Sequence, residues 1–340
     1  MNTARPRVVV GVDGSRASHE AVVHAAWEAD RRALSLRMVH AYVLPTPCLT
    51  PLPPLFDENL MSAVARDQLA EAAQVVRSKY PYLPLETKAV RAFGSVALVQ
   101  ESATARLVVI GAPRLGGRAW SPAGPVATQI MASARCPVLV VPPSLAVPPP
   151  VLGAGPVLVG VDGYAPSEPV LSFAFDEAAV RGESLVAVHV WSVPELTGLG
   201  QVTSGVQWAR NPDQAQLQVQ ENAERILAEA LAGWQERYPQ VRIRRWVVHN
   251  FDTGQVLLDA ANEVAAGLIV VGSRGRGTLA GTMLGSVSQS LISHAVAPIA
   301  VIGPLADPRQ GVDRQALRVP EERVPEESAP LSPGFGKADR

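Results

Sequence analysis

"VVVGVDGS" at residues 8–15 returns as "VLVGVDGY" at residues 157–164, 149 positions later. In both, a run of Val and Leu ends abruptly in Gly-Val-Asp-Gly. β-branched residues bounded by turn residues read as a buried strand followed by a tight turn. "MVHAY" (38–42) recurs as "AVHVW" (187–191) at the same 149-residue interval. Further on, "GSVALVQ" (94–100) matches "GQVLLDA" (254–260), "RLVVIG" (106–111) matches "GLIVVG" (267–272), and "CPVLVV" (136–141) matches "APIAVI" (297–302). Order is kept throughout, so the chain carries one unit twice. The second unit has the longer connection, "SVPELTGLGQVTSGVQWARNPDQ" (192–214).

Within each unit, apolar runs alternate with helical periodicity. In the second, strands are predicted near 157–161, 185–190, 241–248, 268–272 and 298–302. One helix over "AERILAEALAGWQERY" (223–238) has Ile226, Leu227, Ala230, Leu231 and Trp234 on one stripe. Continuous Val/Ile/Leu strands joined by helices predict an α/β fold, with a parallel sheet covered on both faces. The units are assigned to 1–143 and 156–303, joined by a Pro-rich, semi-rigid linker at 144–155. The polar tail, 304–340, is short of large apolar residues and reads as disordered.

Composition narrows the function. Of 340 residues 47% are apolar and 18% charged, enough for two packed cores. The 30 Lys and Arg nearly cancel the 31 Asp and Glu, which argues against a nucleic-acid or membrane-surface role. The apolar runs fall far below the roughly 20 residues that cross a bilayer, and no signal region precedes the first strand, so a cytoplasmic location is expected. Cys48 and Cys136 are the only cysteines and read as thiols. The six histidines show no metal-ligand spacing; His40 and His189 fall in strands and read as core or rim residues.

The richest chemical signal is "VVGSRGRGTLAGTMLGS" (270–286), with five glycines, two arginines and no acid. It lacks the G-x-x-x-x-G-K-[ST] phosphate loop, having no lysine. A dinucleotide fingerprint fits only loosely: the stretch follows the fourth strand, and no acid occurs between 272 and 306 to hold a ribose. What fits is Gly272-x2-Gly275, nine residues, then Gly285-Ser286 at the start of the helix "SVSQSLISHA". Glycines let backbone approach a ligand, and a helix N-terminus offers unpaired N–H groups and a favourable dipole to an anion. Ser286 and Ser288 add hydroxyls. Asp162 has two readings at this stage, a ligand group or a turn residue capping the next helix.

This spacing, inside a repeat opening on "VLVGVDG", closely resembles the universal stress protein family, in particular its tandem members, over residues 5–303. The resemblance implies two five-stranded parallel sheets of order 3-2-1-4-5, helices on both faces, of the adenine nucleotide alpha hydrolase-like kind. It implies an ATP site in the second unit. There Val161 and Val190 border adenine, Asp162 bonds the nucleoside, and Val271, Gly272 and Gly275 line ribose and phosphates. Gly285, Ser286, Val287 and Ser288 supply helix-terminal donors. Mg2+ would come with the nucleotide, held by phosphates and water. Family domains pair through their last strands, here "PVLVV" and "PIAVI", within one chain or in a homodimer. The first unit keeps Asp13 and Gly111. It has Arg114 in place of a glycine, then Gly124-Pro125, Ala127 and Ala41, and is expected not to bind ATP in this way. No efficient catalysis is expected, since neither His nor acid lies in the glycine loop. A nucleotide-independent scaffold and an ATP-using enzyme of a related class stand as the alternatives.

Overall fold

The computed structural model describes residues 6–44, 58–112, 125–142, 154–163, 167–192, 212–273, 284–295 and 297–307. The first half runs β1 (Arg7–Gly11), α1 (Arg16–Arg31), β2 (Ser35–Tyr42), α2 (Glu58–Lys79), β3 (Leu85–Arg91), α3 (Gly94–Ser102), β4 (Ala105–Gly111), α4 (Pro125–Ser133) and β5 (Val138–Val141). The second runs β6 (Val157–Gly160), α5 (Ser167–Arg181), β7 (Leu185–Trp191), α6 (Pro212–Ala230), α7 (Trp234–Arg237), β8 (Ile243–His249), α8 (Thr253–Glu263), β9 (Leu268–Gly272), α9 (Ser286–His294) and β10 (Ile299–Ile302). The expected single helix over 223–238 is broken in two. Gly233 sits at φ +75° between α6 and α7, a backbone state that ends a helix at little cost for glycine.

The strands lie in the order β3-β2-β1-β4-β5-β10-β9-β6-β7-β8, one continuous sheet. Every neighbouring pair is parallel except β5 and β10, which run antiparallel with Ile299 opposite Val140 and Val301 opposite Val138. The last strands of the two halves therefore pair within one chain. That edge is used up, and the free edges are β3 and β8. Both carry exposed charge, Glu86 and Lys88 on one and Arg244 and Arg245 on the other, which discourages strand addition.

Strand alternation explains the unbroken apolar runs. Val8, Val10, Val157 and Val159 pack under α1, α2, α5 and α6, whereas Val9 and Leu158 pack under α3, α4, α8 and α9. The inner strands β1, β5, β6, β9 and β10 face two cores, so their middle positions are all apolar.

The two halves also meet through charge. Glu28 on α1 and Arg32, the residue that caps its C-terminus, are equivalent in the repeat to Glu177 and Arg181 on α5, at the same 149-residue interval. Their pairs cross from one half to the other: Arg181 Nη2 donates to Glu28 Oε1 at 2.7 Å, and Arg32 pairs with Glu177. Arg181 also reaches Glu177 Oε2 at 3.2 Å, and Arg32 bonds Glu28. Glu28 and Arg181 are each 1% exposed. Trp27 is flanked by the Arg31 and Arg181 guanidinium groups at 4.6 and 5.1 Å. This is the reciprocal pattern of a twofold interface, built inside one chain.

The junction should make stability acid-sensitive. Burial, then Arg181 and Arg32 nearby, push the His24 imidazolium down to about 3. Burial alone would raise the Glu177 carboxyl, but Arg32 and Arg181 hold it well below the usual carboxylate range. Both folded values lie below their unfolded ones, so the unfolded chain binds more protons at acid pH. The His24 contribution is complete above about 6.5 and is lost as pH falls toward 3; that of Glu177 begins to fail below about 4.5. The urea midpoint is thus expected to fall on acidification from pH 6.5, with the slope between 6.5 and 4.5 flattened in His24→Gln. A midpoint that rises over this range would contradict the assignment.

Candidate functional site

β6 and β9 are hydrogen-bonded neighbours with Val159 opposite Val270. The segments leaving them, Val161-Asp162 and Gly272-Ser273, therefore emerge side by side at the carboxyl edge of the sheet. They arrive there from 110 residues apart in sequence. In an open α/β sheet the crevice lies where connections from adjacent strands diverge to opposite faces. That point is here: α5 follows β6 onto one face, and α9 follows β9 onto the other. The third wall is β7. Val161 N–H donates to Val188 O at 2.9 Å, which holds Val161 against the end of β7.

α9 is tied to the end of β9 by two bonds. Gly285 N–H donates to Ser273 O at 2.9 Å, and the Ser288 hydroxyl donates to Gly272 O at 2.8 Å. Gly285 is the N-cap residue, with φ −65° and ψ 151°, and no side chain caps the helix. Among the described residues no side-chain bond caps the first N–H groups of α9, which is the electrostatic preparation for an anion. Ser288 is buried. As placed here its hydroxyl braces Gly272, while its backbone N–H belongs to the helix terminus. Ser286 is exposed, and its hydroxyl can turn toward a ligand.

Asp162 Oδ1 accepts from the Ser167 hydroxyl at 3.0 Å, so the carboxylate is oriented by the first residue of α5. Gly163, next in sequence, has φ +78°, and a Cβ there would come within 2.3 Å of Ile226 Cγ2. Only glycine can follow Asp162 in this turn.

Of the residues singled out in the sequence, Asp162, Gly272, Gly285, Ser286 and Ser288 lie at the adjoining ends of β6 and β9, whereas Val161 packs in the cluster on the opposite face of the sheet from Val190, Val271 and Val287. Val190 and Val287 pack against the same apolar cluster as Val271. Gly275 lies outside the described residues, as do Arg274 and Arg276, and so do Arg114 and Gly124 of the first half. The sequence did not single out Ser167, whose bond to Asp162 has only a weak signal, one hydroxyl in a loop of ordinary composition; His189 is buried, as its place in a strand led one to expect.

The first half has the same scaffold with different groups. Asp13 Oδ1 accepts from Ser15 N–H at 2.9 Å, and Ser15 in turn caps α1 by accepting from Ser18 N–H. Burial by itself would raise the Asp13 carboxyl, but hydrogen bonds from Ser15 lower it below its ordinary value. α4 begins at Pro125, which has no N–H to offer, and Ala127 stands where α9 has Ser288.

Among the described residues no group of three His, Cys, Asp or Glu could hold a metal, and no helix is long and apolar enough to cross a membrane. Cys136 is a free, buried thiol that burial pushes up to about 12. Cys48 lies outside the described residues.

A family model described as universal stress protein family matches this chain twice, at residues 5–142 and 154–303. A universal stress protein of Mycobacterium tuberculosis is 36% identical over 299 residues, covering 86% of this chain and 96% of its own. Another from the same organism is 37% identical over 302 residues, covering 86% and 95%. The crystal structure of a universal stress protein from Archaeoglobus fulgidus shares the fold, with a TM-score of 0.59 at 20% identity over 87% of this chain and 98% of that one.

Proposed function

The chain belongs to the universal stress protein family, and we propose that it binds one ATP per chain, in the crevice of its second half, as a nucleotide-dependent regulatory module of the stress response. The observation that carries the reading is the uncapped start of α9, held against the end of β9 beside Asp162. In this reading Val161 and Val190 flank the adenine. Asp162, oriented by Ser167, accepts a hydrogen bond from the nucleoside. Val271, Gly272 and Gly275 leave room for ribose and phosphates, and Gly285, Ser286, Val287 and Ser288 offer N–H groups to phosphate oxygens. Asp162 is the single carboxylate assigned to the crevice, so Mg2+ would be bound by phosphates and water. Without a positioned base or nucleophile, hydrolysis is at most slow.

The first half lacks the proline-blocked donor and the serine hydroxyls, and is assigned no ATP. The test is to denature the purified protein, assay the supernatant for adenine nucleotide, and titrate the stripped protein with MgATP. A stoichiometry near one supports the reading. Two equal sites would overturn the assignment of the first half. No binding at millimolar ATP would leave the scaffold reading, which the intrachain β5–β10 pairing favours. Rapid turnover would revive the enzyme reading.

A further inference from the structure

Resting on that reading, we propose that His189 is a positioning residue of the nucleotide crevice, holding the Val161–Gly163 turn in its ligand-ready shape through a bond to the Val161 carbonyl. His189 is 1% exposed, and its Nδ1 lies 2.7 Å from Val161 O. A carbonyl can only accept, so the imidazole proton on Nδ1 is fixed by this contact. The bond grips the residue immediately before Asp162, at the point where the chain leaves β6. On its other side lies Ile226: a Cβ added at Gly163 would meet Ile226 Cγ2 first and His189 Cε1 next, at 3.5 Å. His189 beneath and Ile226 beside thus define the turn from two directions. Asp162 projects from the residue between them.

The first half shows the same positions without the clamp. His40 is the repeat equivalent of His189, yet its Nδ1 is buried with no hydrogen-bond partner. Gln68 replaces the aliphatic neighbour: a Cβ added at Gly14 would come within 2.7 Å of its Cδ, and its Oε1 is also buried and unpartnered. There the turn is held locally, by Ser15 on Asp13. The two halves therefore differ at the adenine end of the crevice as well as at the phosphate end. A histidine common to both makes the bond only where the phosphate donors survive.

The experiment contrasts two amide replacements in the full chain. Asparagine places an N–H where Nδ1 stands, whereas glutamine places it near Nε2, so H189N can keep the bond and H189Q cannot. Affinity for MgATP is expected to stay within about threefold of the parent in H189N and to fall about tenfold in H189Q. The free protein gives a second readout. Backbone amide resonances of Val161, Asp162 and Gly163 should move in H189Q and stay near the parent in H189N, and the parent His189 should show the Nδ1–H tautomer by nitrogen shifts. H40Q should leave ATP affinity unchanged. Equal affinities and unmoved turn resonances in H189N and H189Q would overturn the proposal, as would an Nε2–H tautomer. If the parent binds no ATP, the functional reading fails, and the ligand-free resonances still decide whether His189 sets the turn.

Discussion

Ser286→Pro is expected to lower ATP affinity by about two to four orders of magnitude while leaving the fold intact. The substitution copies Pro125 of the first half into the equivalent position of the second. It removes one backbone N–H and one hydroxyl from the start of α9. Each donor to a charged oxygen is worth roughly 1.5–3 kcal/mol, and two such losses give the stated range. The helix should tolerate the change for three reasons. Proline is at home in the first position of a helix, where its missing N–H breaks no helical bond. It also restricts the residue before it to extended backbone, and Gly285 already has φ −65° and ψ 151°. Ser286 is exposed, so the ring meets no packed neighbour. Titration calorimetry with MgATP reads the affinity, and thermal unfolding reads the fold. A variant that melts with the parent and binds ATP as tightly would remove the α9 terminus from the site.

The largest expected effect on stability comes from the junction between the halves. Arg181→Met should destabilise the protein by about 3–5 kcal/mol, the usual cost of removing one partner from a buried ion pair. Arg181 bonds Glu28 across the junction and Glu177 on its own helix, and covers Trp27. With it gone, Glu28 and Glu177 remain buried with less compensation, and methionine restores only the packing of the aliphatic stem. The melting temperature should fall by roughly 4–7 degrees on the scale for a chain of this size. Arg32→Met should act similarly, because Arg32 holds the reciprocal position. Removing Arg181 and Glu28 together should cost less than the two single changes summed, since the double variant leaves fewer uncompensated charges. Strict additivity would mean the pair is not coupled. The test is a set of urea titrations at pH 7.5 on the parent, both single variants and the double variant.

Much of the fold is legible in the sequence alone. "VVVGVDGS" and its return at 157 marked two copies of one unit, and the unbroken Val and Leu of β1, β6 and β9 required a sheet covered on both faces. The glycine spacing after β9 could be read because backbone approach and helix N-termini demand particular residue types at particular intervals. The broken spacing before Pro125 was equally readable. Helix ends were less so: the stripe through Ile226 and Trp234 continues in sequence across Gly233, and only the backbone turns there.

The sequence by itself determined the repeat, the strand and helix alternation, and the chemistry available at 270–286 and 109–125. These are local properties, fixed by side-chain type and spacing along the chain. Tertiary structure decided what those segments meet. It set Val161-Asp162 beside Gly272 across 110 residues, and paired β5 with β10 inside one chain. It also crossed Glu28 with Arg181 and Arg32 with Glu177, and bonded His189 to Val161 while leaving His40 without a partner. Two histidines in matching strands carry identical local signals. Which one finds an acceptor depends on the placement of a neighbouring carbonyl, and that placement is set by packing between elements distant in sequence.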